Sequence, residues 1–150
     1  MIESTPRRKW SVLVPGQVYL IVGVGEGVTE DAIKETAVFD QECMTVLNAS
    51  EASLVHFIND LRSVHGVPPI GSIRKMQYLR HPRLGYYITM GALQNPLLRF
   101  IGNMVGSMVR MRYQDVETLD RAYELLIAKD PSLPPLSAWS LPIEADIITS

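Results

Sequence analysis

The chain lacks most of the residues that support disulfide or metal chemistry. Its 150 residues include one cysteine and three histidines, and the histidines stand apart from one another. Cys43 has no partner for an internal disulfide, and we expect it to lie buried and unreactive within a helix. Single histidines such as His56, His65 and His81 are more often structural or exposed than metal ligands. The sequence therefore predicts no metal site and no cofactor.

Long hydrophobic runs are also missing. The longest nearly apolar stretch, residues 97–109, is shorter than the roughly 20 residues that a membrane-spanning helix needs. Arg99 and Asn103 interrupt this stretch. The first 15 residues carry basic side chains but no apolar stretch of the kind found in a secretion signal. We therefore expect a cytoplasmic protein without a membrane span.

Acidic residues are absent from the middle of the chain. Between Leu61 and Gln114 there is no Asp or Glu, although the net charge of the chain is −2. This region, the basic middle, contains eight basic residues: Arg62, Arg74, Lys75, Arg80, Arg83, Arg99, Arg110 and Arg112. This asymmetry has two interpretations. The basic middle forms an anion-binding face, or the acidic flanks interleave with it in the fold and neutralise its charge. A negative net charge and an aromatic content of 7% argue against nucleic acid as a partner.

What the sequence does have is an alternation of β-rich and helical patterns. Strands are predicted at Trp10–Val14, 17–24, 54–59, 84–90 and 109–113, with Pro15-Gly16 turning the first two into a hairpin. Helices are predicted at 29–47, 68–76, 95–108 and from the N-cap Thr118 onward. This order predicts one α/β domain, residues 1–130, with a mostly parallel sheet of about five strands and four helices. The proline-rich residues 131–150 are expected to form an extended tail.

Two short patterns resemble catalytic or nucleotide sites without completing them. The glycines of residues 23–27 begin like a dinucleotide-binding loop, but Val28 breaks the pattern. Asp60, Ser63 and His65 are the residue types of a catalytic triad, yet residues so close in sequence rarely adopt triad geometry. We therefore predict no catalytic residue and no enzymatic activity.

Two glycines interrupt the helix that follows Asn95. Gly102 and Gly106 are four residues apart, and each costs a helix about 1 kcal/mol relative to alanine. Their presence indicates that something approaches the helix backbone closely. The approaching group is either a neighbouring loop or the tail of the same chain, or a second subunit.

Over roughly residues 18–126 the chain resembles the STAS superfamily, and more closely its SpoIIAA-like branch. Three stretches carry the resemblance: Val22–Asp31, Phe57–Arg62 and Arg112–Ala122. They are similar to the opening strand and capped helix, the central strand ending in Asp-Leu-Arg, and the closing strand and helix of such domains. The resemblance implies a STAS-like α/β fold.

The resemblance also implies a function. Regulatory members of the superfamily bind partner proteins and carry a phosphorylatable serine where the central strand meets the next helix. Ser63 stands at the matching place, in the expected exit loop 60–66, but without the Asp-Ser pair of those relatives.

Two functions are therefore considered. The first is a non-enzymatic regulatory or scaffolding interaction module that binds a protein partner or forms a homodimer, with Gly102 and Gly106 as a candidate subunit contact. The second is a binding domain for an anionic or amphipathic small molecule. Its candidate anion ligands are Arg62, Arg80 and Arg83, because guanidinium groups bind phosphate and carboxylate through paired hydrogen bonds.

Overall fold

A computed structural model of the chain describes residues 8–25, 30–64, 71, 74–91, 96–109 and 112–142. The strands are β1 (Arg8–Val14), β2 (Val18–Gly25), β3 (Val55–Val64), β4 (Leu84–Met90) and β5 (Tyr113–Val116). The helices are α1 (Glu30–Ala49), α2 (Pro96–Met108) and α3 (Leu119–Lys129), with short 3-10 helices at Tyr78–Arg80 and Leu136–Ala138.

The strands form one five-stranded sheet in the order β1-β2-β3-β4-β5. β1 pairs antiparallel with β2, and the other pairs are parallel. The predicted hairpin is confirmed: Gly16 has a φ of 74°, and the Gln17 N–H donates to the Val14 carbonyl at 3.0 Å. The mixed, mostly parallel sheet confirms the predicted fold class.

Two hydrophobic clusters cover the two faces of the sheet. Helix α3 packs on one face, where its residues Leu119, Ala122, Tyr123 and Leu126 are buried as predicted. Helices α1 and α2 cover the other face, which is rich in aromatic side chains: Trp10, Tyr19, Phe39, Phe57, Tyr78, Tyr87 and Tyr113. Thr118 caps α3 by accepting a hydrogen bond from the Arg121 N–H, as the sequence predicts.

Several predicted boundaries are wrong. β3 continues to Val64, so residues 60–64 are not an exit loop; β2 lies alongside and pairs with Ser63 and Val64. β5 begins at Tyr113 rather than at residue 109, because the Val109 N–H bonds the Val105 carbonyl and extends the helical turn. The sequence pattern Ile33, Ala37, Met44 and Leu47 predicts the inward stripe of α1, but among the described side chains Phe39, Cys43 and Leu47 are buried and Ala37 is exposed.

The described residues contain three α-helices rather than four. Of the predicted helix over 68–76, only Gly71 and residues 74–76 are described, and the Lys75 N–H donates to the Gly71 carbonyl at 3.3 Å as in a helical turn. No helix in the described ranges is both long and apolar enough to cross a membrane.

The described part of the tail packs on the domain. Trp139 is buried and meets Tyr123 edge to face, with ring centroids 5.5 Å apart. The Trp139 indole N–H donates to the Pro134 carbonyl at 3.0 Å, and the Ser140 N–H donates to the Leu13 carbonyl of β1 at 2.9 Å. The described part of the tail is therefore attached to α3 through Trp139 and to the end of β1 through Ser140.

Candidate functional site

The carboxyl ends of the parallel strands β2 to β5 meet at one edge of the sheet. In open α/β sheets this edge is where ligands and partners usually bind. The connections that leave it, residues 26–29, 65–70 and 92–95, lie outside the described residues, as does His65. Polar side chains of three adjacent strands line the described part of this edge, which we call the carboxyl-end site: Asn59, Asp60, Arg62, Thr89 and Asp115.

A polar row crosses the sheet on the face of α1 and α2. Asn59 of β3, Thr89 of β4 and Asp115 of β5 are register partners, and they lie one step beyond the aromatic row of Phe57 and its neighbours. The Thr89 hydroxyl donates to the Asp115 carboxylate at 2.5 Å. The Tyr113 hydroxyl is 2.9 Å from the same Thr89 oxygen and therefore donates to it. Burial raises the pKa of Tyr113, so this hydroxyl keeps its proton.

Asn59 is the unusual member of the row. The residue is 4% exposed, and its side-chain Nδ2 has no hydrogen-bond partner among the described residues. An unsatisfied buried donor costs about 1–3 kcal/mol, and such groups are rare in folded proteins. Asn59 Nδ2 is therefore a buried donor without an acceptor among the described residues at this edge of the sheet.

The opposite face of the same edge carries a charged pair. Asp60 is 2% exposed, and its carboxylate receives hydrogen bonds from Arg62 at 3.0 Å from Nε and 2.8 Å from a terminal nitrogen. The backbone N–H of Arg62 adds a third bond at 3.1 Å. This fork geometry fixes the guanidinium group, which is 26% exposed, at the rim of the sheet.

Gly91, directly after β4, allows this arrangement. Its φ is 86°, which favours glycine, and an added Cβ would lie 3.2 Å from the Arg62 backbone. The chain can therefore turn away from β4 while it passes close to the charged pair. A glycine directly after a β-rich run, as at Gly91, is the sequence signal for the end of such a strand.

Ser63 lies close to this edge but within β3 rather than in a loop. It is half-buried and is the register partner of Val24 in β2. β4 ends at Met90, which pairs with Asp60, so the β4 side of the sheet does not reach Ser63. Ser63 therefore lies near the carboxyl end of β3, within the strand rather than in the loop where the resemblance places a regulatory serine.

The three candidate anion-binding arginines do not converge. Arg62 lies at the carboxyl end of β3, whereas Arg83 directly precedes β4, whose first residue Leu84 pairs with Val55. Arg62 is seven residues beyond Val55 along β3, which places it roughly 20 Å away at about 3.3 Å per residue. A single site built from Arg62, Arg80 and Arg83 is therefore not formed.

Three of the eight basic residues of the basic middle donate hydrogen bonds to backbone carbonyls of the same chain. Arg80 donates to the carbonyls of Arg74 and Met76, and Arg83 donates to the carbonyls of Leu47 and Ser50. In addition, the Arg112 guanidinium donates to a carbonyl at the start of β4 at 3.0 Å. These side chains bind helix and loop carbonyls, a use of arginine that the charge pattern alone does not distinguish from ligand binding.

Gly102 and Gly106 face Tyr113 of the same chain. A Cβ on Gly102 would lie 2.5 Å from the Tyr113 hydroxyl, and one on Gly106 would lie 3.4 Å from its ring. The Tyr113 ring stacks on Tyr87, with centroids 6.1 Å apart. The group that approaches both glycines is therefore a side chain of β5, rather than the loop, the tail or the second subunit that the sequence suggested.

The structure also shows a polar pair that sequence reasoning missed. His56 is fully buried, and its Nε2–H donates to Asp130, 74 positions later, at 2.7 Å. Its Nδ1 accepts the Tyr86 N–H at 2.8 Å, so both ring nitrogens are occupied. Burial lowers the pKa of His56, against the influence of Asp130. Because no ring nitrogen faces a cavity, His56 joins the sheet to the start of the tail rather than acting on a substrate.

The remaining candidate chemistry is structural as well. Cys43 is fully buried, and burial raises the pKa of its thiol well above the ordinary value, which leaves a neutral thiol. His81 bonds the Asn48 side chain at 2.8 Å. Within the described ranges, no group of three or more His, Cys, Asp or Glu side chains has the arrangement of a metal site.

Comparison with known proteins gives a structural match. No family model matches the sequence, and no curated protein matches it. The solved structure of the anti-sigma factor antagonist SpoIIAA in its unphosphorylated form superposes with a TM-score of 0.52 over 81% of this chain and 96% of SpoIIAA. The sequence identity is 12%, so the match concerns the fold. This chain therefore has a fold like that of SpoIIAA, which is the fold that its sequence resemblance implies.

Proposed function

We propose that the protein is a non-enzymatic regulatory module that binds a protein partner through the carboxyl-end site. The observation that carries the proposal is the shared fold with SpoIIAA, a protein described as an anti-sigma factor antagonist. A pathway does not follow from a shared fold, because one fold serves many functions.

The residues of the carboxyl-end site support this proposal. Arg62 presents a guanidinium group that Asp60 holds in place at the rim, and the buried Asn59 Nδ2 has no partner among the described residues beside it. Polar groups held in place before binding lower the entropic cost of association and favour one partner over others. The ligand-binding alternative is less well supported, because Arg62 lies at the opposite end of the sheet from Arg83.

The test is quantitative capture of partners from an extract of the source cells. The bait is the purified chain, compared with the double variant Arg62→Met with Asp60→Asn, which leaves no buried carboxylate unpaired, and with Glu124→Lys as a control. Glu124 lies on the exposed side of α3, where it forms a surface ion pair with Arg121. We expect one protein to be retained in near-equal amount by the wild type and the control, and to be lost with the double variant. Equal retention by all three baits would remove the carboxyl-end site from the proposal.

In this proposal, phosphorylation of Ser63 regulates partner binding. A phosphate there would add a charge of about −2 beside the Asp60–Arg62 pair. Phosphate would compete with Asp60 for the guanidinium group, which would change the surface offered to a partner. We expect Ser63→Glu to weaken capture and Ser63→Ala to preserve it. Equal capture by both variants would argue against Ser63 as a switch.

A further inference from the structure

The exposed side chains in the second half of α1 carry no charge. Between residues 37 and 49 they form a set that we call the α1 surface: Ala37, Val38, Gln41, Thr45, Asn48 and Ala49. Val38 is 49% exposed, and the Thr45 hydroxyl is used within the helix, where it donates to the Gln41 carbonyl at 2.9 Å. Helices on a protein surface ordinarily present charged residues to water. The α1 surface instead has the charge-poor composition of the centre of a protein interface.

A groove of about 510 Å³ runs along one side of the α1 surface. Ala37 and Met44 line it from α1, and Lys75 and Gln77 line it from the opposite bank. Arg74 and Lys75 of that bank are both exposed, and neither forms an ion pair with a described residue. The groove therefore joins an uncharged helix side to a bank with uncompensated positive charge.

The basic bank is held firmly against α1. Asp40, the acidic residue that lines the groove, accepts the Gln77 N–H at 3.0 Å with one oxygen and the Tyr78 N–H at 2.9 Å with the other. Arg80 also donates to the Arg74 carbonyl at 3.0 Å. Both Asp40 oxygens are thus occupied by backbone amides, and the bank is in position before anything binds, which lowers the entropic cost of association.

We propose that the α1 surface is a second docking site, and that its occupant is an amphipathic helix of a protein partner with acidic residues along one edge. The apolar face of that helix packs on the α1 surface, and its carboxylates pair with the basic bank across the groove. Residues 37–49 of α1 span roughly 20 Å at about 1.5 Å per residue, which is room for between three and four turns of the partner helix.

Binding of a synthetic peptide to the full chain tests the proposal. The probe is a labelled peptide of about 18 residues, long enough to form a helix, with leucine on one face and glutamate along its edge. A second peptide has lysine at every glutamate position. We expect the glutamate peptide to bind and to shift the amide NMR signals of Ala37, Thr45 and Lys75, and the lysine peptide to bind about tenfold more weakly. Absence of binding by the glutamate peptide, or equal binding by both peptides, would overturn the proposal.

Substitutions in the chain locate the peptide. Lys75→Glu should weaken binding of the glutamate peptide about fivefold to tenfold, because an attractive charge becomes a repulsive one. Thr45→Glu places a negative charge within the α1 surface and should weaken binding at least as much. Lys129→Glu makes the same charge change at an exposed position of α3 and should leave the affinity unaltered. Circular dichroism checks that each variant is folded, and unchanged affinity in either the Lys75 or the Thr45 variant would contradict the proposal.

Two further controls separate this inference from the proposed function and from self-association. The double variant Arg62→Met with Asp60→Asn alters the carboxyl-end site on the other face of the sheet, so it should bind the peptide as the wild type does. Loss of peptide binding in that variant would place the peptide at the carboxyl-end site instead. A dimer in light scattering that Thr45→Glu converts to a monomer would assign the α1 surface to a second copy of the chain. Either result would contradict the proposal.

Discussion

The paired glycines of α2 allow a sharp test of the packing, because the same substitution should have opposite effects four residues apart. Replacing either Gly102 or Gly106 with alanine improves helix propensity by about 1 kcal/mol. At Gly106 the nearest atom to the new methyl group is 3.4 Å away, which is close to ordinary contact. We therefore expect Gly106→Ala to raise the free energy of unfolding by about 0.5–1 kcal/mol.

At Gly102 the new methyl group would lie 2.5 Å from the Tyr113 hydroxyl, which is too close. The ring cannot withdraw easily, because it stacks on Tyr87 and bonds Thr89. Losing that hydrogen bond costs about 1 kcal/mol and overpacking costs about 1–3 kcal/mol. After the gain in propensity, Gly102→Ala should lower the free energy of unfolding by about 1–3 kcal/mol.

Urea denaturation followed by circular dichroism measures both effects, with the slope of the transition checked for constancy. Tyr113→Phe in the Gly102→Ala background removes the clashing oxygen and should recover part of the loss. Two destabilising alanines would refute the calculation, and so would two stabilising ones. A change in solution mass on Gly106→Ala would mean that a second subunit contacts this helix after all.

Three further substitutions test other parts of the account. Arg62→Met leaves the buried Asp60 carboxylate unpaired and should lower the free energy of unfolding by about 2–4 kcal/mol, with much of it restored by adding Asp60→Asn. Asn59→Leu removes an unsatisfied buried donor and should raise stability by about 1 kcal/mol while weakening partner capture. Because the pKa of His56 lies below 6.5 in the folded chain, the unfolded chain binds more protons as the pH falls below 6.5. Stability should therefore decline from pH 7 to pH 5, and His56→Gln should reduce that slope in a urea series at several pH values.

Asp130, which accepts the hydrogen bond from His56, adds to the loss of stability at low pH. Burial pushes the pKa of Asp130 upward, but hydrogen bonds from Ser132 and His56 outweigh it, and the pKa lies below 3.8. The unfolded carboxylate therefore takes up its proton first as the pH falls, which removes further stability below about pH 4.

The sequence was sufficient for features that depend on local chemistry. The Pro15-Gly16 turn, the Thr118 cap and the strand 84–90 each follow from residue types at fixed offsets, and the structure confirms them. The end of β3 was not predicted, because it depends on an ion pair rather than on local residue types. Polar residues such as Asp60 indicate a loop when read alone, but here Arg62 satisfies the buried carboxylate within the strand.

The candidate site was only partly predictable because its members come from distant segments. Arg62 and Ser63 were named, whereas Asn59, Thr89 and Asp115 become neighbours only through strand register. The charge asymmetry of the basic middle could not distinguish arginines that bind carbonyls from arginines that bind ligands. That distinction depends on which carbonyl lies within reach of each guanidinium group, which is a property of the tertiary fold.

Hydrogen exchange with and without the captured partner is the most direct test of the central claim. The account predicts that binding slows exchange of the amides at the carboxyl ends of β3 and β4, from Leu61 to Val64 and at Gly91. It also predicts no change in residues 131–139, which pack near the other end of the sheet. Protection confined to that opposite end, or to α1, would contradict the claim that the carboxyl-end site is the partner surface.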